Sequence, residues 1–202
     1  MATRLKRTEQ VQRNRELVLA AARRVFLERG YHAASVDEIA EDAGFSKGVV
    51  YSQFASKAEL FLALLDQRIA ERAAQNEQVT AGRTGADAVA AMLRTGVELA
   101  QAERRWGLLV TEFRVHAARD PELNERYLVA HERTLVAVAA RFGEAYDAAG
   151  ESPPYPPRVM AELLLACATG VDLEQAANPK ALRGRHVADL LTQLLTTRPE
   201  DR

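Results

Sequence analysis

Apolar side chains recur at helical intervals through most of this chain, while strand-like alternation is absent; Val49-Val50-Tyr51 comes nearest and is too short. Val18, Ala22, Val25 and Phe26 share one face of a segment otherwise rich in arginine and glutamate. That pattern predicts a first helix from about Val11 to Arg29, ended by Gly30. Ser35-Val-Asp-Glu38 has the spacing of a capping box and opens a second helix with Val36, Ile39, Ala40 and Ala43 on its apolar side. Gly44 stops it, and Ser46 starts a short third helix over Lys47 to Phe54. Ser56-Lys-Ala-Glu59 is another capping box, starting a long fourth helix with Leu60, Leu64 and Ile69 inward. After the Gly82-Arg-Thr-Gly85 loop, helices are expected over 86–105 and 106–118, from Pro121 (capped by Asp120) to Ala149, and over 158–177 and 182–197. Ser152-Pro-Pro-Tyr-Pro-Pro157 forms a rigid connector, and Asn178-Pro179 a break. No proline precedes Pro121, in keeping with helix throughout that length. The expected fold class is all-α, with about nine helices and no solenoid repeat.

Composition narrows the class. The 202 residues are 48% hydrophobic and 27% charged, as in an ordinary globular chain. Net charge is −1, but residues 1–57 carry 10 Lys+Arg against 7 Asp+Glu, so the front is basic and the remainder acidic. This asymmetry predicts a nucleic-acid-facing head on a body with another task. The single cysteine, Cys167, forms no internal disulfide, and its apolar helix suits a small core filler better than a redox sensor. The longest apolar run, Leu163 to Val171, is too short to cross a bilayer, and the N-terminus has no signal-peptide core, so a soluble cytoplasmic protein is expected.

Two short helices joined by Ala43-Gly44-Phe45-Ser46, behind a longer one, make a helix-turn-helix. Val50 and Phe54, four residues apart, point inward. Lys47, Gly48, Val49, Tyr51, Ser52 and Gln53 are left on or beside the outer face. There Lys47 can donate to guanine, Gln53 can pair with adenine, Val49 can touch a thymine methyl and Gly48 lets the backbone come close. The hydroxyls of Ser35 and Tyr51, with Lys57 at a helix start, suit phosphate oxygens. Arg4, Lys6 and Arg7 are either an arm for the minor groove or phosphates, or a solvated tail.

The run from Ser35 to Leu60 resembles the DNA-binding segment of TetR-type (tetracycline-repressor family) regulators. The likeness covers about residues 11–65 and combines the Gly44 turn, Ser46-Lys47-Gly48, Tyr51, Phe54 and Ser56-Lys57 in one register. Beyond residue 65 only the length and the nine-helix layout agree. The resemblance implies a homodimer built on a four-helix bundle of the last two helices from each subunit. It also implies a ligand pocket within helices four to eight, and repression relieved by ligand. By position Ser35, Tyr51 and Lys57 inherit phosphate contacts, and Lys47, Gly48 and Val49 base-proximal ones. Ser52-Gln53 departs from the pattern, in which an aromatic or histidine is frequent. The expected organisation is a three-helix DNA-binding domain over 1–57 and a ligand-binding and dimerisation domain over 58–202. The function expected is a repressor that binds a palindromic operator in double-stranded DNA and is released by a small-molecule effector. The alternative is a ligand-binding or interaction module with a vestigial helix-turn-helix that reads no DNA.

Trp106, Phe113, Arg114, His116, Tyr127, His131, Met160 and Cys167 are candidates for an effector cavity, each with plain core packing as the other reading. Leu163, Leu164, Leu165, Leu190, Leu191, Leu194 and Leu195 are apolar surface to be shared between a second subunit and the chain's own core. Gly44-Phe-Ser-Lys-Gly48 formally matches the nucleophile elbow of α/β-hydrolases, but that motif requires a strand before the serine, and the preceding segment reads as helix. His131-Glu132 lacks the second histidine of a zinc motif. No metal, cofactor, catalytic residue or membrane partner is expected.

Overall fold

Capping groups and glycines set the helix ends. The computed structural model describes residues 2–182 and 184–197, with side chains from Thr8 onward. Nine helices run among the described residues: α1 Ala2–Ala33, α2 Val36–Asp42, α3 Lys47–Tyr51, α4 Lys57–Thr80, α5 Gly85–Ala102, α6 Arg104–Ala117, α7 Pro121–Ala149, α8 Pro157–Ala177 and α9 Gly184–Thr196. No strand occurs among these residues.

Three ends differ from the sequence expectation: α1 does not end at Gly30 but breaks helical geometry there and runs on to Ala33. α1 begins well before Val11, where polar residues leave no apolar stripe to read. Side-chain pairs one turn apart, Gln10–Asn14 at 2.8 Å and Gln12–Glu16 at 3.0 Å, line that polar length. α3 stops at Tyr51 instead of Phe54. There Ser52 caps the end and its hydroxyl donates to the Val49 carbonyl at 2.7 Å, a local bond that competes with helix. The helix that starts at Pro121 is capped as expected, with the Leu123 N–H donating to Asp120 Oδ1 at 3.2 Å.

The chain divides into two compact units, Met1–Arg68 with Glu112–Tyr127, and Ile69–Thr111 with Leu128–Arg202. The boundary expected at 57/58 thus falls inside the first unit. Leu60, Phe61 and Leu64 of α4 are buried there, and Phe61 meets Phe26 of α1 edge-on at 5.5 Å. Phe113 stacks on Phe61 at 4.2 Å and meets Tyr31 edge-on at 4.9 Å, tying residues 112–127 to the same core. In the second unit Met92, Leu93, Phe142, Tyr146, Met160, Leu191 and Leu195 form one core, and the Tyr146 hydroxyl donates to the Leu195 carbonyl at 3.2 Å. α9 lies close enough to α5 that a Cβ on Gly184 would collide with Gln101 and Val97. No helix among the described residues is long and apolar enough to cross a membrane.

Candidate nucleic-acid interface

Ser35 and Glu38 close the capping box reciprocally. The Glu38 N–H donates to Ser35 Oγ at 3.2 Å, and the Ser35 N–H donates to Glu38 Oε2 at 3.0 Å. These bonds from Ser35, with the Arg29 charge nearby, hold the Glu38 carboxyl below its ordinary pKa. α2 then buries Val36, Ile39 and Ala40. Gly44 turns the chain at φ 72°, a left-handed conformation that suits glycine. α3 follows, anchored by Val50 at 1% exposure, and Phe54 just beyond it is 4% exposed. Arg15 of α1 closes the far end, its guanidinium 4.2 Å from the Phe54 ring centroid and its NH1 donating to the Gln53 carbonyl at 3.3 Å.

That anchoring leaves one polar edge outward. Lys47, Gly48, Tyr51 and Ser52 are exposed, and Val49 is half-buried beside them. A Cβ on Gly48 would meet only Ser46 Oγ, at 3.8 Å, so the protein's own packing does not demand glycine there. Lys47 Nζ lies 2.8 Å from Asp37 Oδ1 and 5.9 Å from the Tyr51 ring centroid. The hydrogen bond that the ammonium donates to Asp37 raises the lysine's pKa. Gln53 is half-buried, with its Oε1 buried and unbonded, so it does not stand on the open edge with the others.

Two residues expected at phosphates are committed within the protein. The Ser35 hydroxyl serves the capping box and also donates to Glu38 Oε2 at 3.0 Å. Lys57 Nζ donates to the carbonyls of Tyr31, His32 and Ala34 at 2.8, 3.2 and 3.0 Å, which uses all three ammonium protons. Burial lowers the Lys57 pKa, with the Glu112 charge opposing. The side chains of Arg4, Lys6 and Arg7 lie outside the described residues. Glu112 and Asp37, which the sequence did not single out, are the partners that organise this region. Neither has a local signal, since their partners are distant in sequence.

The candidate cavity residues divide between the two units. Phe113, Arg114, His116 and Tyr127 belong to the first unit, and Trp106, His131, Met160 and Cys167 to the second. Phe113 and Tyr127 are core, with rings 6.0 Å apart, and burial raises the pKa of Tyr127; Tyr31 beside them is pushed up to about 12. His116 packs on Tyr31 at 5.2 Å, while Arg114 is exposed. Met160 is fully buried in the second core, and Cys167 is half-buried against it.

The leucines divide likewise. Leu191 and Leu195 are core at 7% and 1% exposure, Leu164 and Leu165 pack against that core, and Leu194 is half-buried. Leu190 is 66% exposed, and Val159, Leu163 and Leu173 of α8 are also exposed.

Ser46 follows a helix and a turn, so the glycine-flanked serine has no strand from which to work as a nucleophile elbow. Among the described residues no three His, Cys, Asp or Glu side chains converge on a metal site.

A buried anchor, a glycine turn and an outward polar edge behind a capped short helix define a helix-turn-helix. Residues 18–64 match the family model of bacterial regulatory proteins, tetR family. The transcriptional activator FasR of Mycolicibacterium smegmatis is 56% identical over 52 residues, 26% of this chain and 24% of that one. The transcriptional repressor AcnR of Corynebacterium diphtheriae is 33% identical over 125 residues, 60% of this chain and 58% of that one. The chain therefore matches about a quarter of the length of the one and under two thirds of the other. The solved structure of FadR from Bacillus subtilis, a transcriptional regulator in complex with stearoyl-CoA, shares the fold. Its TM-score is 0.73 at 17% identity, covering 90% of this chain and 97% of that one. The likeness to the tetR family thus lies in residues 18–64, and the solved structure shows that the fold of the whole chain is shared.

Proposed function

We propose that this chain is a ligand-responsive transcriptional regulator that binds duplex DNA as a homodimer. Its operator is a near-palindrome read by residues 46–54 of each subunit. The observation that carries this reading is the exposed edge of Lys47, Gly48, Tyr51 and Ser52 backed by buried Val50 and Phe54. Such an edge offers a cationic donor, two hydroxyls and unobstructed backbone to a major groove. Val49 lies beside it for a thymine methyl. Ser35 and Lys57 shape the head from within, while Arg4, Lys6 and Arg7 add positive charge at the front of the chain.

The exposed apolar residues Val159, Leu163, Leu173 and Leu190 on α8 and α9 support burial against a second subunit. Two-fold symmetry then presents two edges to half-sites about 34–36 Å apart, or a multiple of that spacing. DNA recognition belongs to the first unit, and effector capture and dimerisation to the second. An effector that prefers a conformation unable to bind the operator releases it, and linkage requires the operator to weaken effector binding by the same factor. Repression is the mode proposed, as in AcnR; FasR is an activator, and a reporter fused to the target promoter separates the two.

The test is selection of duplexes from a random library by the purified protein. Recovery of a near-palindromic consensus supports the reading. Recovery of no consensus favours the vestigial helix-turn-helix.

A further inference from the structure

The last turn of α1, beyond the break at Gly30, presents backbone groups to bonding from outside the helix. Gly30 leaves helical geometry at φ 77°, and α2 begins only at Val36. Two side chains from elsewhere in the sequence take up these groups. Glu112 of α6 accepts from the Tyr31 N–H through Oε2 and from the His32 N–H through Oε1, each at 3.0 Å. Lys57, at the start of α4, donates to the carbonyls of Tyr31, His32 and Ala34. A carboxylate thus holds the donors of the turn and an ammonium holds its acceptors. Gly30 is part of the device, because a Cβ there would stand 2.8 Å from Glu112 Oε2.

The clamped turn runs straight into Ser35, the cap of α2, and α2 packs on α3. Its position therefore sets the angle at which the recognition helix is presented.

We propose that Glu112 is a positioning residue for DNA binding. The proposal rests on the DNA-binding reading. Glu112 acts through the Tyr31 and His32 amides and needs no contact with DNA.

Electrostatics gives the test its sign. Removing a carboxylate from a protein that binds a polyanion strengthens binding by reducing repulsion. A positioning role requires the reverse. Glu112→Gln keeps the size and one acceptor oxygen, but loses the charge and the second acceptor. Its affinity for a duplex selected by the wild-type protein is expected to fall roughly tenfold, the scale of one charge-assisted hydrogen bond. The log–log salt slope is expected to stay at the wild-type value, because no phosphate contact is lost. Amide exchange at Tyr31 and His32 is expected to quicken. Glu112→Asp keeps the charge but withdraws the carboxylate by one methylene, and is expected to weaken binding as well, which loss of charge cannot explain.

Three results overturn the proposal: either variant binding as tightly as wild type, a shallower salt slope, or an affinity loss no larger than the unfolded fraction seen by circular dichroism. Wild-type protein that selects no duplex overturns the DNA-binding reading itself, and this inference with it.

Discussion

Lys47 Nζ stands 2.8 Å from Asp37 Oδ1, so the lysine of the recognition helix is held by a carboxylate from the helix before it. Both side chains are exposed, and an exposed pair of this kind exchanges readily for a phosphate or a base edge. Asp37 then competes with the duplex for the ammonium. Asp37→Asn is expected to tighten binding to scrambled duplex by roughly two- to fivefold. It is expected to tighten binding to the selected operator less, which narrows discrimination. Fluorescence anisotropy on the two duplexes at one salt concentration measures both.

Lys57 separates contact from positioning. Its three donors are spent on the carbonyls of Tyr31, His32 and Ala34, so Lys57→Met is expected to cost roughly 1–3 kcal/mol of stability in urea denaturation. The salt slope of operator binding is expected to be unchanged. A slope smaller in magnitude by roughly 0.9 would place the ammonium on a phosphate instead.

Gly30 and Glu112 make a pair whose costs are distinguishable. At φ 77° an alanine carries a backbone penalty of roughly 1–2 kcal/mol, and its Cβ also meets Glu112 Oε2 at 2.8 Å. Gly30→Ala is therefore expected to destabilise more than the backbone penalty alone. Adding Glu112→Asp is expected to recover part of that loss by withdrawing the carboxylate. Denaturation of the two single variants and the double variant reads the coupling directly.

Asp172 gives the second unit a pH dependence. Burial raises its carboxyl pKa, opposed in part by Arg104, and a Cβ on Gly107 would collide with it. The folded protein binds that proton more tightly than the unfolded chain does. The resulting stability is complete below the ordinary aspartate pKa and is lost as pH rises through the raised one. At neutral pH Asp172→Asn is expected to melt roughly 1–3 °C above wild type, with the gap closing in acid. Melting curves at the two pH values check the sign.

The exposed apolar residues of α8 and α9 are the basis of the proposed dimer. Leu163→Glu and Leu190→Glu, made together, are expected to yield folded monomer in sedimentation velocity and to weaken operator binding. Leu191→Glu is expected to unfold the second unit instead, because Leu191 is 7% exposed and lies in its core.

Most helix ends were legible because they are local chemistry: Ser35 with Glu38, Gly44, Asp120 with Pro121. The inward pair Val50 and Phe54 was legible from its spacing alone. The start of α1 was not, because a polar helix has no apolar stripe. Nor were the partners of Lys57, since an exposed-looking lysine reads the same whether it faces a phosphate or a carbonyl. The sequence cannot divide Phe113 from Met160 between two cores, because both patterns are simply apolar. Glu112 was invisible for the same kind of reason: its bond to the Tyr31 amide links two segments that no window contains together.

The central claim, that residues 46–54 read duplex DNA, is tested most directly by the ratio of affinities for the selected operator and a scrambled duplex, measured across salt. The account requires the operator to bind at least about a thousandfold more tightly, with both affinities falling linearly in log–log salt. It also requires Lys47→Ala to collapse most of that ratio. Equal affinities for the two duplexes, or a ratio untouched by Lys47→Ala, would contradict it.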